Sequence, residues 1–186
     1  SGGSSSRHFA RKHDTLLFYA KTKDYYFHPQ KEKSYNRGFK PYRFKGVREY
    51  RDENGWYTMV NMKDVWQIDM VGRTSSERTG YATQKPEALL QRILESCTRP
   101  GDWTADFFGG SGTLAAASEK MGRRWIYCDV GTLAAAAAEK RLARSSSPFA
   151  VLTQEDSEIS KHTCRIEAKW NVEPAGATDR VLLTVE

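Results

Sequence analysis

A glycine-rich stretch, 109–112, is the part of this 186-residue sequence whose residue types point most directly to ligand binding. It lies between an apolar run that ends at Phe108 and a helical pattern that begins at Thr113. Because glycine lacks a Cβ and adopts positive φ at little cost, the backbone of such a turn can come close to a ligand. About twenty residues beyond Gly110, Asp129 ends the next apolar run, where a carboxylate can accept hydrogen bonds from ribose hydroxyls. The turn and the acid together predict an adenosine-binding pocket.

The residue types alone leave two alternatives open at this turn. The glycines can form no more than a tight turn, with Asp129 as an ordinary helix cap. Gly110, Gly112 and Ala115 also satisfy the G-x-G-x-x-A pattern of dinucleotide-binding folds, so a nicotinamide-dependent oxidoreductase is a candidate. The order strand, glycines, helix, strand and acid favours an adenosine cofactor over a bare turn.

The turn lies in a stretch of sequence that alternates helix and strand. Pro86 suits the first position of a helix, and the apolar residues between 89 and 97 then fall on one helical face. Further helices are predicted over 113–121 and 132–144, and strands over 102–108, 125–128 and 149–152. Such alternation is typical of an α/β fold with a doubly wound parallel sheet.

The rest of the chain predicts shorter elements. Apolar runs predict strands over 13–20 and 25–27, and two more strands over 56–60 and 65–68. Near the C-terminus, residues 165–172 alternate at period two and residues 180–185 return after a turn, which predicts a β-hairpin.

Composition restricts the class of protein. The chain is 39% hydrophobic and 28% charged, and no apolar run approaches the roughly 18 residues that span a bilayer, so we expect a soluble protein with no membrane partner. Cys97, Cys128 and Cys164 lie far apart with no C-x-x-C pair, which argues against a disulfide framework or a metal site and favours the cytoplasm.

The positive charge is concentrated near the N-terminus. Residues 1–50 carry twelve Lys and Arg against four Asp and Glu, a net charge of +8, whereas residues 151–186 carry a net charge of −3. From residue 30 to residue 78 basic side chains alternate with aromatic ones and little helical periodicity is visible, which predicts an irregular nucleic-acid-binding region. The basic residues expected to contact nucleic acid are Lys31, Lys33, Arg37, Lys40, Arg43, Lys45 and Arg48.

Three motifs in this order carry a resemblance to a known family. They are Thr83-Gln84-Lys85-Pro86-Glu87, the stretch 106–113, and the stretch 124–129. The sequence over 79–144 resembles the β-class amino DNA methyltransferases, in which a T-Q-K-P motif precedes a D-P-F-x-G-S-G-T motif and an R-W-I-G-x-[DE] strand. Phe107 and Leu114 depart from that pattern, although the glycines and both acids are kept.

The resemblance implies a Rossmann-like methyltransferase fold, S-adenosylmethionine as cofactor and DNA as partner. Methylation of adenine N6 or cytosine N4 would follow, with adenine favoured, and residues 30–78 would be the target-recognition region. Lys85 would lie near the methionine end of the cofactor, where an ammonium group suits the carboxylate. The cofactor-binding residues implied are Thr83, Lys85, Asp106, Phe108, Gly110, Ser111, Gly112, Thr113 and Asp129.

The catalytic segment of that family, [DNS]-P-P-[YFW], is missing from the sequence, which contains no Pro-Pro dipeptide. In the family order it would precede residue 13, so we assign no catalytic residue and expect the chain to be an inactive C-terminal part of an enzyme. The alternative is a non-catalytic nucleic-acid-binding module with a methyltransferase-like fold.

An incomplete fold of this kind would have four parts. These are an N-terminal segment (1–29), a recognition region (30–78), a cofactor-binding core (79–152) and a C-terminal extension (153–186). An open sheet edge and an uncovered apolar face should remain, so we expect self-association or pairing with the missing half.

Overall fold

The computed structural model describes residues 7, 9, 13–145, 148–153 and 181–184. These residues contain two separate sheets and three α-helices, joined by long loops, and none of the helices described is long and apolar enough to cross a membrane. The elements in chain order are β1 (Lys31–Tyr35), a short 3-10 helix (Arg37–Phe39), β2 (Glu49–Asp52), β3 (Gly55–Asn61), α1 (Glu87–Cys97), β4 (Trp103–Asp106), α2 (Thr113–Lys120), β5 (Arg124–Asp129), α3 (Thr132–Leu142), β6 (Ala150–Thr153) and β7 (Val181–Thr184).

The first sheet is antiparallel and has the strand order β1-β3-β2. Strands β2 and β3 are joined by Glu53 and Asn54, and Asn54 N–H donates to Asp52 Oδ1 at 2.9 Å. The basic region predicted as irregular therefore contains regular strands, because Asn54-Gly55 is a strong hairpin signal between β-forming residues. The predicted strand at 56–60 is confirmed within β3, whereas residues 65–68 form no strand.

The second sheet is parallel, with the order β4-β5-β7-β6 among the described strands. Helix α2 packs on β4 and β5 and also contacts α1 and α3. The small alanine side chains of α2 and α3 let both helices lie close to β5. The hydrophobic core consists of Ala115, Ala116, Trp125, Tyr127, Ala138 and Leu142. The predicted α/β fold with a parallel sheet is thus confirmed, and it is Rossmann-like in its alternation of strand and helix.

The C-terminal hairpin prediction needs a correction. Its first arm, 165–172, lies outside the described residues, whereas the second arm contains β7. Strand β7 pairs in parallel with β5 on one side and with β6 on the other, so no antiparallel neighbour fits beside it. The short apolar run 181–183 is typical in sequence of a strand within a parallel sheet.

The N-terminal segment also differs from its prediction. Residues 13–29 are described as exposed chain without a strand, although 13–20 and 25–27 were expected to be strands. A strand needs a neighbour for its backbone hydrogen bonds, and none of the described strands lies alongside this segment. Leu17 is 74% exposed. His28 N–H donates to the Ser96 carbonyl at 2.8 Å, which fixes the end of the segment against α1.

Candidate cofactor site and nucleic-acid surface

The glycine turn, residues 107–112, links the end of β4 to the start of α2. Gly109 N–H donates to the Cys128 carbonyl at 3.0 Å, and Gly112 N–H donates to the Gly109 carbonyl at 2.8 Å. The Tyr127 hydroxyl donates to the Gly110 carbonyl at 2.8 Å, and burial raises the pKa of Tyr127, so this hydroxyl keeps its proton. The turn is therefore held against the end of β5, as expected for the carboxyl edge of a parallel sheet.

The glycines of the turn are required by its own packing. Gly110 and Gly112 have φ of 51° and 70°, in the left-handed region that favours glycine. A Cβ on Gly109 would lie 2.3 Å from the Tyr127 ring, and a Cβ on Gly112 would lie 2.9 Å from the Cβ of Ala138. The glycines thus let the turn lie directly on β5 and α3.

Asp129 closes the turn from the end of β5. Its Oδ2 accepts the N–H of Gly110 at 2.8 Å, and its Oδ1 accepts the N–H of Gly131 at 2.8 Å. The structure therefore brings together the acid and the glycines that the sequence paired. A carboxylate has about four lone-pair directions, so each oxygen of Asp129 keeps acceptor capacity for a ligand hydroxyl.

A buried guanidinium supports the turn from below. Arg141, on α3, donates from one nitrogen to the Thr113 hydroxyl at 2.9 Å and from the other to Glu87 Oε1 at 2.9 Å. The same nitrogen that reaches Thr113 lies 3.4 Å from the carbonyl and hydroxyl oxygens of Ser111. The predicted cofactor residues Ser111 and Thr113 are buried, and their hydroxyls face Arg141. Contacts from these two residues to a ligand would therefore come from their main chain.

Glu87 completes this charged cluster at the start of α1. It accepts hydrogen bonds from both Arg141 and Lys120. Burial alone would raise the pKa of Glu87, but the hydrogen bonds from Lys120 and Arg141 outweigh it and hold that pKa below its usual value. Sequence reasoning did not identify Arg141, because by residue type it does not differ from the neighbouring Lys140 and Arg144. An arginine on the same face as Ala134 and Ala138 is the signal that could have found it.

The T-Q-K-P segment reaches the glycine turn through its backbone. The Thr113 hydroxyl donates to the Lys85 carbonyl at 3.2 Å, while the Lys85 and Thr83 side chains are exposed. Gln84 fixes the preceding loop, since its Oε1 accepts from the amide and hydroxyl of Thr79 at 2.8 Å each. Its Nε2 also donates to the Glu77 carbonyl at 2.7 Å.

Asp106 and Phe108 lie on the open side of the turn. Asp106 Oδ1 accepts the N–H of Phe108 at 3.1 Å, and the Phe108 side chain is 92% exposed. Val130 and Leu133, which follow Asp129, are also exposed, at 73% and 80%. With Phe107, which is 58% exposed, four large apolar side chains are therefore exposed to solvent around the turn and the acid.

The seven basic residues predicted to contact DNA are all exposed. Lys31 and Lys33 lie on β1, and the other five lie in or beside the loop between β1 and β2. Lys33 forms an ion pair with Asp52 at 2.6 Å, which holds the pKa of Lys33 above its usual value and that of Asp52 below it.

Glu49, at the start of β2, organises this basic loop. It accepts hydrogen bonds from the amides of Tyr42 and Arg43, at 2.9 and 2.8 Å, and from the Asn36 side chain at 2.7 Å. The backbone hydrogen bonds from Tyr42 and Arg43 lower the pKa of Glu49. Arg43 itself has φ of 55°, a conformation uncommon outside glycine. Sequence reasoning did not identify Glu49, because an acid in a basic region attracts no attention by type alone.

Two thiols lie near these elements. Cys128, directly before Asp129, is buried and Cys97 is half-buried. Burial raises the pKa of both. Across the residues that the structure describes, no three His, Cys, Asp or Glu side chains lie close enough together to hold a metal ion.

Known proteins share sequence with this chain. The sequence model of one family, described as DNA methylase, matches residues 1–140. The chain is 29% identical over 145 residues to the Type II methyltransferase M1.MboII of Moraxella bovis, covering 69% of this chain and 53% of that protein. It is 33% identical over 134 residues to the Type II methyltransferase M.BglII of Bacillus subtilis, covering 68% and 35%. The chain thus spans about half the length of these relatives, or less. The crystal structure of the M1.HpyAVI–SAM complex is 27% identical, with a TM-score of 0.37 over 47% of this chain and 48% of that one.

Proposed function

The chain belongs to the DNA methylase family, and we propose that it supplies the S-adenosylmethionine-binding and DNA-binding parts of a site-specific DNA methyltransferase. The observation that carries this proposal is the hydrogen bond of 2.8 Å between Asp129 and Gly110. It sets a carboxylate against a glycine turn at the carboxyl edge of a parallel sheet, where such folds bind nucleotides, and we assign that carboxylate to the ribose hydroxyls. The methyl group would be transferred to an exocyclic amino group in DNA, and we favour adenine N6 over cytosine N4.

The groups around the turn suit an adenosine ligand. Asp129 offers acceptor capacity for ribose hydroxyls, and Phe108, Val130 and Leu133 offer exposed apolar surface for a flat base. Asp106, Gly110 and Gly112 line the same turn. When bound, S-adenosylmethionine supplies an electrophilic methyl group on a sulfonium centre.

The methionine end of the cofactor would lie toward the T-Q-K-P segment. The exposed ammonium group of Lys85 can meet the methionine carboxylate, and Thr83 stands two residues before it. The contact from Thr113 to the Lys85 carbonyl supports this assignment, because it fixes the segment beside the turn. Ser111 and Thr113 would contribute main-chain N–H groups, since their hydroxyls face Arg141.

The DNA would lie on the basic region, residues 30–78. Its exposed lysines and arginines can neutralise phosphates, which accounts for most sequence-independent affinity. In this proposal residues 79–152 bind the cofactor, residues 1–29 lead into the recognition region, and residues 153–186 extend the core. The sheet of β1, β2 and β3 supports the boundary between the DNA-binding region and the cofactor-binding part, because its last strand in the chain, β3, ends well before α1.

The chain alone would transfer no methyl group, because no proline-rich base-binding segment occurs in its sequence. A polypeptide segment that carries those residues would complete the enzyme, whereas a second copy of this chain could cover the open sheet edge but would lack the same segment. Strand β4 supports this, since among the described strands only β5 pairs with it and Trp103 is 49% exposed on it. We expect no methyl incorporation into DNA when this chain is incubated with labelled S-adenosylmethionine.

Calorimetry with S-adenosylhomocysteine tests the cofactor site. We expect the chain to bind it, the Asp129→Ala variant to bind much more weakly, and the exposed control Asp69→Ala to bind like the parent. Nicotinamide dinucleotides should not compete. Equal binding by the parent and the Asp129 variant would reject the pocket.

A further inference from the structure

One face of the antiparallel sheet carries a row of three tyrosines. Tyr57, on the central strand, stands directly opposite Tyr35 on one side and Tyr50 on the other. The ring centroids of Tyr57 and Tyr35 are 5.5 Å apart, and those of Tyr57 and Tyr50 are 5.6 Å apart. Directly opposite residues of an antiparallel sheet share a face, so these rings form a continuous row. We call this surface, with the cations described next, the tyrosine face.

Positive charge covers the rings of the tyrosine face. Lys33 Nζ lies 4.7 Å from the centroid of the Tyr57 ring, and the Arg48 guanidinium lies 5.3 Å from that of Tyr50. Lys31 stands on the same face by strand alternation, with its ammonium 2.6 Å from Asn61 Oδ1. The same alternation turns Glu32 and Glu49 to the opposite face of the sheet. The surface is therefore cationic as well as aromatic.

The rings of the tyrosine face already pack against one another. Tyr50 and Tyr57 are stacked with an interplanar angle of 20°, and cations cover two of the rings. A nucleotide base would have to displace these contacts before it could stack on a ring. Strand side chains stand roughly perpendicular to the sheet, so the phenol oxygens are the outermost atoms of these rings. Two of its three ring planes are covered, so what the face mainly offers to a partner is O–H and N–H donors.

We propose that the tyrosine face binds the sugar–phosphate backbone of duplex DNA, an inference that rests on the proposed function. Phosphate oxygens are acceptors that match tyrosine hydroxyls, lysine and arginine, and such contacts position a protein on DNA without reading its sequence. Sequence reading would then fall to other residues of the region, such as those of the loop that Glu49 holds.

Asp52 opposes this binding. Its Oδ2 accepts the Lys33 ammonium at 2.6 Å and the Tyr35 hydroxyl at 3.0 Å, so two of the donors are occupied in the absence of DNA. A phosphate must take both donors from Asp52, and the carboxylate then repels it. Removing the charge of Asp52 should therefore strengthen the binding of DNA.

Fluorescence anisotropy with a labelled short duplex, at several salt concentrations, tests the proposal on the full chain. The Tyr50→Phe/Tyr57→Phe variant keeps the rings and their cation contacts but loses two hydroxyls, and we expect its affinity to fall roughly five- to tenfold. The matched control is Tyr26→Phe, another exposed tyrosine, which lies 4.4 Å from the Arg99 guanidinium outside this sheet. The control should bind duplex like the parent chain.

The Asp52→Asn variant tests whether the affinity for DNA rises when the charge of Asp52 is removed. We expect its affinity for duplex to rise roughly two- to fivefold, as for release of one exposed ion pair. The control Asp24→Asn, at an exposed residue outside residues 30–78, should leave the affinity unchanged. Unchanged affinity in both the double tyrosine variant and Asp52→Asn would overturn the proposal. Tighter binding of single-stranded than of duplex DNA, lost with Tyr57→Leu, would overturn it in favour of base stacking.

The two proposals fail in different ways. If the parent chain binds duplex DNA but the tyrosine face variants do not differ from it, only the present inference fails. If the parent binds S-adenosylhomocysteine but no DNA at all, the DNA-binding half of the proposed function fails together with this inference.

Discussion

The carboxylate of Asp129 accepts the backbone N–H of Gly110 at 2.8 Å, so the acid that ends β5 also closes the glycine turn that begins α2. One residue thereby connects two successive strand-to-helix junctions. Its second oxygen holds Gly131 N–H at the start of α3. The shape of the turn and the acceptor groups of the site consequently depend on the same side chain.

The Asp129→Asn substitution removes the charge of the Asp129 side chain and keeps its size. Asparagine has the same size, but its NH2 group must face either Gly110 N–H or Gly131 N–H, so one half-buried donor loses its acceptor. We expect a loss of about 1–3 kcal/mol in the free energy of unfolding and weaker S-adenosylhomocysteine binding. Urea unfolding and calorimetry measure the two effects, with Asp69→Asn as control. Unaltered stability would show that these hydrogen bonds contribute little.

Gly109→Ala should destabilise the chain by steric overlap. The added Cβ would lie 2.3 Å from the Tyr127 ring, which is itself buried and cannot move freely. Overpacking of this kind costs roughly 1–3 kcal/mol. The matched control is Gly72→Ala, where a Cβ would meet no atom within 4 Å and φ is not positive. Thermal unfolding should show a clear decrease for Gly109→Ala and little change for the control.

Arg141→Met should destabilise the chain by leaving Thr113 and Glu87 without their buried donor. Breaking one side of a buried ion pair costs about 3–5 kcal/mol, and the lower end applies here because Lys120 still pairs with Glu87. The double variant Arg141→Met/Glu87→Gln should lose less than the sum of the two single losses. Urea unfolding of all four proteins gives the coupling, and strict additivity would contradict a direct interaction.

Glu87 also predicts a pH dependence. Its pKa is lower in the folded chain than the ordinary value of 4.5, so the folded state is stabilised when Glu87 is ionised. This contribution is fully present above the unfolded pKa and is lost as the pH falls through the folded pKa. The stability difference between the parent and Glu87→Gln should therefore be constant near neutral pH and shrink on acidification below the unfolded value. A difference that grows toward acid pH would have the wrong sign.

Glu49→Gln should loosen the basic loop. The neutral amide accepts less strongly than a carboxylate and sets an NH2 group against one of the two backbone N–H groups that Glu49 now binds. We expect faster proteolysis within residues 37–47 and weaker duplex binding, with little change in S-adenosylhomocysteine affinity. Limited proteolysis followed by mass spectrometry tests this, and Glu53→Gln, at the exposed hairpin turn, serves as control.

Local sequence patterns were sufficient to predict the elements around the turn. Helix α1 starts one residue after Pro86, and β4, α2, β5 and α3 all lie within or next to their predicted ranges, because each combines apolar periodicity with a glycine or proline boundary. The proximity of Asp129 and Gly110 was predictable for the same reason, since parallel strands bring their carboxyl ends to one edge.

Long-range partners were not predictable in this way. Arg141 lies far along the chain from both Glu87 and Thr113, and only the packing of α3 against the turn reveals their contact. Strand β7 resembles a hairpin arm locally, but its two neighbours are distant in sequence. The run at 13–20 has strand composition, yet a strand forms only where a neighbour offers matching hydrogen bonds.

The buried thiol of Cys128 gives a way to measure how often the glycine turn opens. Its carbonyl accepts Gly109 N–H, and its sulfur is shielded as long as β5 and the turn stay together. An alkylating reagent can reach it only during transient openings, whereas the half-buried Cys97 should react first. The labelling rate of Cys128 would thus report how often the glycine turn opens away from β5. A ligand that binds at the turn should lower that rate.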